Sequence, residues 1–205
     1  MKVTFIGDCH GLMDRYGRLL NRFSEPTLQV GDMGVGFRQN GEWISTDSLR
    51  DTDRWIHGNH DNPDMCVGQK GYLGRFGVSH EGVFFVSGAF SVDAFYRRSG
   101  IDWWYNEQLN WEELEQAIDL YRETKPEIVA THDCPRSLYQ MMLNKIGKPE
   151  GPLYESSTAH ALEKMFSIHQ PKVWVFGHWH RSVDEMIGNT RFICLNELEP
   201  VTLEW

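Results

Sequence analysis

The chain is poor in cysteine, and its four, Cys9, Cys66, Cys134 and Cys194, form no CxxC pair and no regular framework. That excludes a disulfide-stapled scaffold and predicts reduced thiols, mostly buried. Cys9 and Cys134 stand beside histidines, which leaves a thiolate zinc ligand open as a second reading. No apolar run reaches bilayer length, and the start MKVTFIGDCHG turns polar too soon for a secretory leader. A cytoplasmic location and no membrane partner are therefore expected. Basic residues are outnumbered, with 20 Lys and Arg against 29 Asp and Glu, a formal charge of −9. Such a surface lacks the footprint of a duplex-DNA binder. A small phosphorylated ligand is not excluded, because a local metal charge outweighs the global field. Repeats, low-complexity tracts and clear linkers are also missing, so residues 1–205 are expected to form one domain.

Hydrophobic residues make up 40% of the chain, with 8 Trp and 11 Phe, enough for a substantial core. Apolar, β-branched runs predict strands at 2–7, 27–32, 52–58, 82–88 and 127–133, and one over 172–180 that runs into a turn. Helical spacing of Leu, Tyr and Phe predicts a helix over 12–23. A second spans 110–124, with Asn110 as its N-cap, Glu112 and Glu113 at its positive end and Pro126 beyond its last turn. Further helices are predicted at 137–146 and 156–168. Residues 188–196 and 200–205 close the chain as β segments, with Gly188-Asn189 as a hairpin turn. The Gly-, Pro- and polar-rich stretches 33–50 and 146–155 read as surface loops. The fold class is α/β.

The places where the predicted strands stop carry the chemistry. VTFIG runs into Asp8-Cys9-His10, LQVG into Asp32, and RWIHG into Asn59-His60-Asp61. IVAT runs into His132 and WVFG into His178-Trp179-His180. In an open α/β sheet ligands gather at the carboxyl ends of strands, and glycine lets the backbone approach them closely. Each piece alone is unremarkable: Gly-Asp is a common turn, and a lone histidine is usually structural. In extended backbone the two histidines of HxH would face one side, as two metal ligands require. Five such turns in order predict one convergent metal site.

Asp8, Asp32, an oxygen of Asn59 and the imidazoles of His10, His132, His178 and His180 form a mixed oxygen and nitrogen donor set. It suits manganese first, with iron, zinc, nickel and cobalt as alternatives, better than magnesium or calcium. Seven donors exceed one ion, but serve two if one carboxylate bridges. Two divalent ions against two carboxylates leave a net positive cluster that attracts phosphate. Ions about 4 Å apart can generate hydroxide near neutral pH and clamp phosphate oxygens for in-line attack. His60, not needed as a ligand, is the expected proton donor, with Asp61 orienting it and keeping it protonated.

The ordered set GDCHG (7–11), GD (31–32), GNHD (58–61), His132 and GHWH (177–180) resembles the calcineurin-like metallophosphoesterase superfamily, from residue 3 to about 196. The resemblance implies a four-layer α/β/β/α sandwich with a dinuclear site. It assigns Asp8, His10 and His180 to one ion, Asn59, His132 and His178 to the other, and Asp32 to both. His60 with Asp61 matches the proton-donor pair. GDMGVG (31–36) lacks the arginine of the GDxVDRG found in Ser/Thr protein phosphatases, and GNHDN differs from their GNHE, which argues against a phosphoprotein substrate. Trp179, bulkier than the usual Thr or Ser, is expected to narrow the pocket.

Residues 87–107 (SGAFSVDAFYRRSGIDWWYNE) look similar to a segment of small bacterial and phage members. Arg97 and Arg98 are candidate phosphate binders, and Trp103-Trp104 a candidate stacking surface for a base. The plainer alternative is a surface arginine pair over tryptophans packed beneath a loop. The expected activity is phosphoester hydrolysis, on a nucleotide or another small phosphodiester. A nuclease acting on DNA or RNA and a non-catalytic scaffold of the same fold are the alternatives. His57, His80, His160 and His169 lack ligand-type context and are left outside the site.

Overall fold

Strands buried on both faces form the middle of the two main sheets of the computed structural model, which describes residues 1–148 and 155–205. In chain order the strands are β1 (Lys2–Ile6), β2 (Thr27–Gln29), β3 (Arg38–Gln39), β4 (Glu42–Trp43), β5 (Asp53–Trp55), β6 (Phe76–Val78), β7 (Phe84–Val86), β8 (Ile128–Thr131), β9 (Val173–Phe176), β10 (Val183–Ile187), β11 (Thr190–Cys194) and β12 (Pro200–Glu204). The helices are α1 (Met13–Leu20), α2 (Pro63–Cys66), α3 (Trp111–Thr124), α4 (Tyr139–Lys145) and α5 (Ser157–Ile168). The first sheet has the order β12-β1-β2-β5 and the second β10-β11-β9-β8-β7-β6, while β3 and β4 form a separate ribbon. Neighbours β1, β2 and β5 run parallel, as do β7, β8, β9 and β11.

Successive side chains of a strand point to opposite faces, so each strand feeds two cores. Val3, Phe5 and Leu28 of the first sheet meet Ile128, Ala130, Val175 and Ile193 of the second. Ile6, next after Phe5, turns the other way and packs with Tyr16, Leu19 and Leu20 of α1. Val129, Trp174, Phe176 and Phe192 likewise turn outward, onto Leu114, Ala117, Tyr121, Leu162 and Met165 of α3 and α5. The layers are therefore helix, sheet, sheet, helix, as the resemblance implied. Burial on both faces explains why these strands read as continuous apolar runs rather than alternating ones.

The 110–124 helix forms as expected, with reciprocal bonds between Asn110 and Glu113 at its start and Lys125 in left-handed conformation at its end. Four elements differ from expectation. The 33–50 loop carries the β3–β4 ribbon. Strands β6 and β10 and the one-turn helix α2 were not foreseen, β10 because its VDEMI sequence sits at a sheet edge and is mostly exposed. The chain also does not finish in hairpins alone: β10 and β11 make one around Gly188-Asn189, but β12 crosses to the first sheet and pairs antiparallel with β1. Of the loop expected at 146–155, residues 149–154 lie outside the described residues. All four cysteines are free and buried. Among the described residues no helix is long and apolar enough to cross a membrane.

Candidate metal centre

Five turns leave the carboxyl ends of β1, β2, β5, β8 and β9, and their polar side chains meet where the two sheets adjoin. The turns are tied to one another through the backbone. The carbonyl of Asp32 accepts the N–H groups of Cys9 (3.0 Å) and His10 (2.7 Å). Its carboxylate accepts the N–H of His60 at 2.7 Å, and Asp8 accepts that of His178 at 3.2 Å.

His10, Asp32, His178 and His180 adopt φ values of 46°, 58°, 66° and 48°. Among the described residues these are four of seven non-glycine positions in that left-handed region. Conformations of this kind cost on the order of 1–3 kcal/mol each and persist only where surrounding structure enforces them. They also correct the extended-backbone reading of HxH, because His178 and His180 lie in a turn and reach different parts of the site.

The glycines that precede the candidate ligands are there for space. A Cβ at Gly58 would fall 2.1 Å from Asp32 Oδ1 and 2.5 Å from His132 Nε2. One at Gly31 would fall 2.2 Å from His132 Nδ1, and one at Gly177 2.2 Å from Asp8 Oδ1. Each turn is stripped of its side chain where a ligand from another turn lies against it.

Two groups of donor atoms result. Asp8, His10, Asp32 and His180 bring one ligand atom each to within 4.8 Å of one another. His10 Nε2 and His180 Nε2 face each other at 2.9 Å, and His180 Nε2 lies 3.1 Å from Asp8 Oδ2. On the other side His132 Nε2 lies 3.3 Å from Asp32 Oδ1 and 3.2 Å from Asn59 Oδ1, with the His178 ring 5.1 Å from the His132 ring. Asp32 thus turns Oδ1 to His132 and Oδ2 to His10, one oxygen to each group.

The arrangement fits divalent metal. Asp8 and Asp32 are fully buried, and only positive charge among them makes that tolerable. His132 turns Nδ1 to the Val30 carbonyl at 2.8 Å, which leaves Nε2, beside Asp32, as the nitrogen that can bind a cation once its proton has left. Glu197 stands 3.5 Å from His180 Nδ1 in the same supporting position.

The sequence matches the calcineurin-like phosphoesterase family over residues 1–182. The chain belongs to the calcineurin-like phosphoesterases. It is a metal-dependent phosphoric ester hydrolase by family, with the donor set for metal in place. No curated protein matches it in sequence. A Staphylococcus aureus structure provisionally assigned as a 5′-nucleotidase, in complex with alpha-ketoglutarate, is similar at TM-score 0.51 and 15% identity. That similarity covers 100% of this chain and 51% of the other, so this chain spans about half its length. A conserved Streptococcus pneumoniae protein predicted to be a phosphoesterase is similar at TM-score 0.43 and 12% identity, over 100% and 84% of the two chains.

In this phosphoesterase the metal-free centre is an ion-pair network. Burial opposes ionisation of Asp8, but hydrogen bonds from His10 and His180 bring its carboxyl down to about 2. Burial disfavours charge on His132, yet the charge and hydrogen bond of Asp32, with Asp8 behind them, raise it to about 10. His10 is raised as well, against its burial, by Asp8 and Asp32. A proton on His132 balances the carboxylates where a cation would.

Asp61 does not orient His60. Its Oδ1 accepts from the N–H groups of Gly34 (2.7 Å) and Val35 (2.8 Å), and its Oδ2 from those of Met33 (3.1 Å) and Gly58 (2.9 Å). With both oxygens spent on backbone, it braces the Asp32 turn against the Asn59 turn. The partner of His60 is instead Arg97, whose Nη2 donates to His60 Nε2 at 2.6 Å and pairs with Asp93 at 2.8 Å. Burial, then the charges of Arg97 and His10, hold the His60 ring down to about 4 despite Asp32. It is therefore a neutral acceptor here.

Arg98 stays outside: its side chain is 73% exposed and lies against Asp102. Trp104 is buried edge-on against Phe37 at 5.2 Å, which favours the packed-tryptophan alternative for that residue. A cavity of about 290 Å³ opens beside His10 and His60, lined also by Phe37, Arg38, Gln39 and Ile44. Trp179 packs on Tyr139 and lines a second, more apolar cavity with His178 and His180. His57, left out of the site, is buried against Tyr72 at 2.7 Å.

Sequence reasoning missed the supporting residues Glu197, Ser91 and Glu107, and the Val30 carbonyl. Ser91 and Glu107 lie in the 87–107 segment and Val30 in the LQVG run, but no local pattern marks any of them.

Proposed function

We propose that residues 1–205 form one phosphoesterase domain that hydrolyses a small phosphoester, a nucleotide or another small phosphodiester, with two divalent cations. In this reading Asp8, His10 and His180 hold one cation, Asn59, His132 and His178 the other, and Asp32 both. Manganese is the first choice for a nitrogen and oxygen set of this kind, ahead of iron, zinc, nickel and cobalt. The observation that carries the reading is the division of Asp32, one carboxylate oxygen toward each group of donors.

When bound, such a pair supplies a nucleophile from water at neutral pH and neutralises the phosphoryl oxygens. The chain's own residues then bind and orient the ester. Arg97, held by Asp93 at the rim, donates to a phosphoryl oxygen in place of His60. His60, released from that cation and facing an anion, takes up a proton and passes it to the leaving oxygen. The cavity beside His10 and His60 is the size of a small ester group, and Phe37 offers an aromatic edge or face within it.

Manganese-loaded protein assayed on aryl phosphomonoesters, aryl phosphodiesters, nucleotides and oligonucleotides tests the proposal. Turnover of small esters above the metal-free control is expected. Turnover confined to oligonucleotides supports the nuclease alternative, and none on any substrate supports the scaffold. Either result ends the proposal.

A further inference from the structure

The segment 88–107 brings Arg97 to the site; near its start Ser91 bonds Asn59, and at its end Glu107 bonds Ser91. Ser91 and Glu107 are 1% and 3% exposed, buried beneath the turn that carries Asn59. Glu107 accepts the backbone N–H of Ser91 through Oε1 at 2.8 Å and the Ser91 hydroxyl through Oε2 at 2.6 Å. The Ser91 oxygen in turn accepts from Asn59 Nδ2 at 3.1 Å. Asn59 Oδ1 is left directed at His132 Nε2, 3.2 Å away.

An asparagine side chain is nearly symmetric in shape, and only its hydrogen-bond partners decide which end faces which way. Burial raises the carboxyl of Glu107, and the two bonds its oxygens accept from Ser91, with Trp103 and the charge of Arg97, oppose that rise. In its ionised form Glu107 can only accept, so it commits the serine proton to itself. The serine oxygen then presents lone pairs, and only the NH₂ end of Asn59 can face them. The oxygen end is thereby turned toward His132 and Asp32, the one orientation in which it can ligate a cation.

We propose that Ser91 and Glu107 are positioning residues that hold the Asn59 amide with its oxygen toward His132 and Asp32, and so set the affinity of the second cation. The proposal rests on the two-cation reading above. Removing the serine hydroxyl frees the amide to rotate. Replacing Glu107 by glutamine supplies a donor that can reverse the serine proton and invert the amide.

The test is titration of the metal-free chain with manganese alone, followed by calorimetry and by the electron-spin coupling of the bound pair. The wild type should take up two cations. Ser91→Ala and Glu107→Gln should bind the first as the wild type does and the second about 10–100-fold more weakly, the usual cost of losing such a support. Ser91→Thr keeps the hydroxyl and should restore the second site. In an Asn59→Asp background the introduced carboxylate needs no orienting, so adding Ser91→Ala should change nothing.

Wild-type affinity for the second cation in Ser91→Ala overturns the proposal. Equal weakening of both cations also overturns it, because that marks general loosening, as does a loss that persists in the Asn59→Asp background. Should Glu107→Gln fail to fold, the alanine and threonine variants of Ser91 decide alone. If the wild type takes up fewer than two cations, the two-cation reading fails, and the relay with it.

Discussion

His60 lies 2.6 Å from a guanidinium nitrogen of Arg97, and that neighbour governs when the ring can carry a proton. In the free protein the ring is neutral, held to about 4 by burial and by adjacent positive charge. An arriving phosphate offsets them, since it engages Arg97 and adds an anion beside the imidazole. His60→Ala should therefore keep its cations and lose about 10²–10⁴-fold in turnover of esters with poor alkoxide leaving groups, with a much smaller loss on nitrophenyl esters. Equal losses on the two classes would remove the proton-donor role. The ring's identity was legible in GNHD, but its environment was not. Asp61, adjacent in sequence, is engaged by four backbone N–H groups from turns 26–28 residues away and from Gly58, while Arg97, 37 residues on, makes the contact.

The strand-to-loop turn is the element that builds the centre, and glycine is its working part. Gly58 shows the reason most cleanly: its backbone is outside the left-handed region, yet a Cβ there would fall 2.1 Å from Asp32 Oδ1. Gly58→Ala is thus a test of space rather than of backbone freedom. It should displace Asp32 and His132, weaken cation binding by at least tenfold, and leave the far-ultraviolet circular dichroism of the fold unchanged. Cation affinity equal to the wild type would show that the turn has room to yield. These turns were readable because a strand, a small residue and a ligand are contiguous in the chain. The β3–β4 ribbon, β6 and β10 were not, since two- to five-residue strands at edges carry too few apolar positions to show a period.

Across the whole molecule the centre straddles the two sheets. Asp8, Asp32 and Asn59 come from the first, and His132, His178 and His180 from the second. Cations bound there would tie the sheets together and stabilise only the folded chain, by about 2.7 kcal/mol at a hundredfold excess over Kd. The melting temperature should rise with manganese and fall back with a chelator. Protons compete for the same place. His132 is raised from 6.5 to about 10, so in the metal-free chain its contribution to stability is complete below pH 6.5 and is lost as pH climbs through about 10. Cation affinity should run the opposite way, rising over that window because a proton must first leave the ring. Calorimetry in buffers of different ionisation enthalpy reads the released proton directly, and no release at pH 7 would contradict a protonated His132.

The sequence by itself determined the α/β class, the order of the main strands and helices, and the polar residues that follow five strand ends, because each is written in a few neighbouring residues. Only the tertiary structure decided which donors share a neighbourhood, that Asp61 braces backbone, that Arg97 rather than Arg98 reaches His60, and that Ser91 and Glu107 stand behind Asn59. Those are contacts between residues tens of positions apart, and a hydrogen bond a few ångströms long leaves no trace in the local pattern of either partner.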